Sequence, residues 1–235
     1  MHHKKIFSLT GSIAILIGFI FICSIPLNAQ ELTYREISGE NVFHYDYDIN
    51  KTTEGYKIGV IKRKDSQVIE DQVFYLNKDY HTTKWVYRRP GDDTDVTAVL
   101  EGDMVYMNGV SDGDEVEEDE DLDDYPWIQL WPMNIGLEPF MNAEAEEIRY
   151  WAYGTEKPGY LKLAKFVATK EGIESIKIDN ERYDAYRVKI TVSGWRSMFW
   201  EGNFFLRKSD WRILMYDGEG APGKPDSRTT LIAED

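Results

Sequence analysis

From Glu174 to Tyr216 apolar and polar residues alternate with a period of two, and turn residues break the pattern at short intervals. In the clearest run Tyr186, Val188, Ile190 and Val192 fall on one face, and Arg187, Lys189 and Thr191 on the other. Successive side chains of a strand point to opposite faces, so this spacing describes a half-buried β-strand and not an amphipathic helix. Asp179-Asn180 and Lys208-Ser209-Asp210 supply turns between such runs.

The same pattern extends upstream. Phe43, Tyr45, Tyr47 and Ile49 share a face, as do Tyr56, Ile58 and Val60, and then His81, Thr83, Trp85 and Tyr87. Further strands are expected near residues 32–37, 68–76, 94–100, 104–107, 148–153, 160–169 and 228–233. Turn signals recur about every ten residues, as in sandwiches and barrels. The expected fold is all-β with minor α content, an antiparallel meander forming a curved sheet, half-barrel or barrel, with one short helix. That helix is expected to start at Asn142, a good cap followed by acidic residues. Just before it, Tyr125 to Met141 is apolar and aromatic, but Pro126, Pro132 and Pro139 argue against a long helix or a central strand there.

Two stretches stand outside this pattern. Met1–Ala29 has a basic start, an apolar run from Ile13 to Ile25 and a Pro-Leu-Asn-Ala end, the order of a secretory signal peptide. Cleavage after Ala29 leaves a single domain over 30–235 without cysteine, whose core must hold it without disulfides. A retained anchor and acylation at Cys23 are the alternatives. From Asp112 to Asp124 nearly every residue is Asp or Glu. Such density cannot be buried unpaired, so a solvated, mobile loop is expected. An EF-hand does not fit, because Glu117 stands at the glycine position and Asp123 closes the run.

The formal net charge of -15 disfavours nucleic acid and anionic membrane surfaces as partners. His44 and His81 each stand alone, without a second ligand at metal spacing, so neither a metal site nor another cofactor is expected. The serines at 193 and 197 lack a nucleophile-elbow context. The expectation is therefore a protein that is not an enzyme. The residues that could line a cleft for an apolar ligand are Trp127, Trp131, Phe140, Trp151, Trp195 and Trp200, with Arg196 beside them for a head group. They are equally suited to a sheet core.

Glu174-Ser-Ile-Lys-Ile, Ala185-Tyr-Arg-Val-Lys-Ile-Thr, Gly194-Trp-Arg-Ser-Met-Phe-Trp, Leu206-Arg-Lys-Ser-Asp and Tyr216-Asp-Gly-Glu-Gly-Ala-Pro-Gly-Lys-Pro occur in that order. With the Tyr125–Phe140 segment, they resemble exported bacterial proteins of the domain-of-unknown-function family 3108. The chain is more loosely similar to the curved half-barrels that carry lipoproteins across the periplasm. The resemblance implies an envelope location, a largely antiparallel β fold and no inherited catalytic residues. The expected function is binding of a lipid or lipoprotein acyl chain on a concave sheet. The alternative is an envelope scaffold that binds another protein through sheet edges or the acidic stretch. After signal cleavage no integral membrane segment is expected.

Overall fold

A computed structural model of the protein describes residues 29–129, 133–157, 160–194, 200–219 and 226–235. Most of the Met1–Ala29 segment expected to be an export signal, with Cys23, therefore lies outside the described residues, as do Trp131, Trp195 and Arg196. The first eight strands are β1 (Ala29–Ser38), β2 (Asn41–Lys51), β3 (Gly55–Lys64), β4 (Gln67–Asn77), β5 (Thr82–Arg89), β6 (Thr94–Glu101), β7 (Met104–Ser111) and β8 (Asp114–Asp121). After the single described α-helix, α1 (Met133–Asn142), come β9 (Glu147–Lys157), β10 (Tyr160–Ile178), β11 (Glu181–Val192), β12 (Glu201–Arg207), β13 (Ile213–Glu219) and β14 (Asp226–Glu234).

All fourteen strands form one antiparallel sheet in which sequence neighbours pair except β8 and β9, which are its two edges, and β1 also pairs with β14. Two meanders, β1–β8 and β9–β14, are thus welded along their first and last strands into a curved, open sheet. Its concave side carries the alternating residues. Leu32 and Tyr34 of β1, Tyr45, Tyr47 and Ile49 of β2, and Ile58 and Val60 of β3 are all buried there. The turn into β3 needs Gly55, which has a φ of 147°; a Cβ there would stand 1.9 Å from the Leu76 carbonyl oxygen.

One end of the concavity is closed. Ile135, Leu137, Phe140 and Met141 of α1 are buried in the main core. The helix is anchored to the turns at that end, where the Trp211 indole donates to Asn142 Oδ1 at 2.8 Å and the Lys170 ammonium to the Ala143 carbonyl at 2.6 Å. Helix placement differs from expectation, since Asn142 ends the helix and does not begin it. The reason is tertiary: burial of four apolar side chains outweighs the one backbone bond lost at Pro139.

The expected acidic loop is also corrected. Asp114–Asp121 is a strand, paired residue by residue with β7 from Met104↔Asp121 to Ser111↔Asp114. Ladder formation here is compatible with charge because the strand lies at the sheet edge, where nearly every carboxylate stays in water.

The two sheet edges lap past each other, and among the described residues no ladder joins β8 to β9. Instead, Tyr150 and Ala152 occupy one face of β9 and Trp151 and Tyr153 the other, yet all four are buried. Tyr153 stacks on Trp85 of β5 at 5.3 Å between centroids. Chain following β8 fills the seam. Ile128 N–H donates to the Trp151 carbonyl and Trp151 N–H to the Pro126 carbonyl, both at 2.8 Å, while Thr82 N–H donates to the Trp127 carbonyl at 2.8 Å.

Candidate functional site

Away from α1 the concave face turns from apolar to polar. The inward row of β1 runs Leu32, Tyr34, Glu36, and that of β3 runs Ile58, Val60, Lys62. Glu36 is 7% exposed. Its carboxylate accepts a short hydrogen bond from the Tyr45 hydroxyl, one of 2.9 Å from Ser227 Oγ, and an ion pair of 3.0 Å from the Lys62 ammonium. Lys62 lies over the rings of Phe43 and Tyr45, at 4.4 and 4.8 Å from their centroids. Burial pushes the Glu36 carboxyl up, but the Lys62 charge and the hydrogen bonds from Tyr45, Lys62 and Ser227 outweigh it and hold it below its ordinary value. Burial, reinforced by the Glu36 charge, raises the Tyr45 phenol well above its ordinary value. A carboxylate committed to three partners is a poor proton acceptor, and a phenol held protonated is a poor nucleophile. The cluster therefore has the character of a buried structural charge network. Close to it, the buried hydroxyls of Tyr47 and Thr229 find no partner among the described residues.

Of the residues expected to line a cleft, Trp127, Phe140 and Trp151 are 0%, 3% and 7% exposed. Trp127 and Trp151 meet across the seam, where the Trp151 indole donates to the Leu122 carbonyl at 2.6 Å and Trp127 packs edge-on against Tyr153. Phe140 sits under the Lys170 ammonium at 4.8 Å from the centroid. Trp200 is apart from these. It is half-buried, donates to the Glu219 carbonyl at 3.1 Å and stands edge-on to Phe166. The Glu36 network was missed because its members are far apart in the chain; its one sequence signal is a charge at the inward parity of two otherwise apolar rows.

The second candidate region is the β8 edge. Seven of its eight residues are acidic, and its outer side has no ladder partner among the described residues. Burial, together with the nearby carboxylates of Glu118 and Glu120, raises the Tyr153 phenol. Beyond the strand, Asp123 pairs with Lys165 at 2.6 Å, and Lys165 lies over Trp151 at 4.7 Å. On the convex face a depression of about 470 Å³ is lined by Glu147, Arg149, Thr169, Lys189, Thr191 and Glu201, among others. Its charges pair internally, Lys189 with Glu201 at 2.7 Å and Arg149 with Glu147 at 3.2 Å.

Among the described residues no group of three or more His, Cys, Asp and Glu side chains is arranged to hold a metal ion. Neither is any described helix long and apolar enough to cross a membrane.

No family model and no curated protein matches this chain, so the likeness to family 3108 is not shown. Among solved structures, the chain is similar to a β-barrel-like protein of domain of unknown function DUF1849 from Brucella abortus. Identity is 12% and the TM-score 0.58, over 90% of this chain and 98% of that one. At that identity the likeness speaks for the fold, and it agrees with the curved antiparallel sheet. The hypothetical lipoprotein YmcC from Escherichia coli aligns over 88% of this chain and 85% of its own, at 11% identity and a TM-score of 0.36. That similarity is too low to carry an argument.

Proposed function

We propose that the protein is a non-enzymatic binding protein of the cell envelope that takes up an extended, basic segment of another protein as an added strand on β8. The observation that carries this reading is the β8 edge, eight residues long and seven of them acidic, whose outer side has no ladder partner among the described residues. An unpaired edge presents backbone donors and acceptors ready for strand addition. Two β8 edges repel each other, so the same carboxylates oppose self-association and favour a strand with Lys or Arg at alternate positions. Exposed Glu115, Glu117, Asp119 and Asp121 would read one face of that strand, and Glu118 and Glu120 the other. Export rests on the Met1–Ala29 signal pattern.

The test is fluorescence anisotropy with a labelled peptide of alternating Lys and Val. Binding is expected at low salt and should weaken about tenfold or more when Glu117, Asp119 and Asp121 are changed to Gln, Asn and Asn, since each rim charge contributes modestly. Equal binding by the neutralised protein would sink the proposal.

A second reading, a lipid or lipoprotein acyl chain held on the concave side, is favoured by the half-buried Trp200 facing Phe166. Native mass spectrometry of protein purified from its own envelope should then show a lipid mass. That mass should disappear when Trp200 and Trp131 become Ala in a protein that still folds; a bare protein mass before substitution counts against this reading.

A further inference from the structure

β10 and β11 are longer than the sheet that holds them. The β9 ladder ends at Thr169↔Glu147 and the β12 ladder at Ala185↔Arg207. Beyond those points, among the described residues, 175–178 and 181–184 pair only with one another, through the turn at Asp179, whose φ is 51°, while 173 and 174 pair on one side only, with Tyr186 and Ala185. A ribbon of two strands is marginal by itself, so what holds it must lie elsewhere. It leaves the sheet at a bulge, where the register shifts between Lys170 and Gly172; Gly172 has a φ of 104°, and a Cβ added there would meet open space. Arg187 spans this bulge, reaching Glu171 at 2.8 Å and Glu174 at 3.0 Å.

The ribbon then lies on the convex face of β12 and β13. Ile176 and Ile178 pack with Phe205, Leu214 and Met215 in a cluster separate from the main core, while Phe204, Leu206 and Tyr216 of the same two strands face the concavity. The tip reaches β1, where Asp179 meets Arg35 at 3.4 Å. That ion pair is exposed, with side chains 37% and 70% accessible, so it holds the tip only weakly.

We infer that residues 173–184 form a latch that opens as one unit about Gly172 while the main sheet stays closed, uncovering the apolar strip of Phe205, Leu214 and Met215. Local openings of this kind are drawn from elements with few buried contacts and one-sided hydrogen bonding, and the ribbon meets both conditions.

The test is hydrogen exchange with peroxide labelling of the intact protein. Amides of 173–178 and 181–184 should exchange together and at least about tenfold faster than those of 161–168 in the same strand. Reversing the tip charge with Asp179→Lys should raise the oxidation rate of Met215 about fivefold, as befits loss of one exposed ion pair, and leave Met107 of the main core unchanged. Ribbon amides that exchange only with the whole domain would overturn the latch. So would equal acceleration at Met107 and Met215, or no acceleration at Met215.

Discussion

Changing Lys62 to Met is expected to destabilise the protein by about 3–5 kcal/mol in urea denaturation, the cost of leaving a buried carboxylate without its cation. The geometry gives the reason. The side chains of Lys62 and Glu36 are only 13% and 10% exposed, and solvent cannot replace the ammonium without opening the concave face. The companion variant Glu36→Gln in the Lys62→Met background should recover most of the loss, because it removes the stranded charge and keeps hydrogen-bonding capacity toward Tyr45 and Ser227. If the double variant is no more stable than the single, the pair is not what the site depends on. The pH dependence has a definite sign. The Glu36 carboxyl sits below its ordinary value in the folded protein, so its contribution is present above the ordinary carboxylate range. It is lost as pH falls through that range toward the depressed folded value. Wild-type protein should lose stability across this acidic window more steeply than Glu36→Gln.

The second large effect is expected at Trp127. Trp127→Ala should cost about 3–5 kcal/mol, the range for removing a fully buried aromatic side chain. Trp127 is 0% exposed, and its backbone carbonyl takes the Thr82 N–H while its neighbours pair with Trp151. The ring also braces Tyr153, which itself stacks on Trp85. Loss of the indole therefore loosens the lap joint between the two sheet edges as well as opening a cavity. Trp200→Ala is the internal comparison. Trp200 is half-buried and outside the seam, and its loss should cost less than half as much. Equal costs for the two variants would mean that the seam does not lock the sheet.

The fold was legible wherever burial is one-sided. β2 and β11 announce themselves because buried Tyr45, Tyr47 and Ile49, or Val188 and Ile190, alternate with half-buried or exposed residues. β8 was illegible for the converse reason: an edge strand has no obligation to bury a face, and its carboxylates carry no hydrophobic period. β10 reads in sequence as two strands because the bulge at Gly172 breaks the register, though one continuous strand runs through it. The helix at 133–142 was hidden by Pro139, whose local cost is set by sequence but whose compensation, packing of Leu137 and Phe140 into the closed end, is set by the tertiary fold. As for the sites, the tryptophans were visible as a type but not as a place. Trp127 and Trp151 belong to the seam, and the buried charge network of Glu36, Lys62 and Ser227 is assembled from strands that only the finished sheet brings together.

The weld between β1 and β14 also dictates a timetable. Glu36 and its hydrogen-bond donor Ser227 are 191 residues apart, and β1 gains its second neighbour only from the last strand of the chain. Contacts of such long sequence separation make folding slow and expose strand edges while they wait. A growing chain can thus assemble β1–β8 as a hairpin series, but its first strand stays an open template until residue 234 has been made. Removal of β14, Asp226–Glu234, would leave β1 and β13 each with one open edge on the inner span of the sheet. Joining of the two meanders is therefore a late step of folding, made when β14 pairs with both β1 and β13.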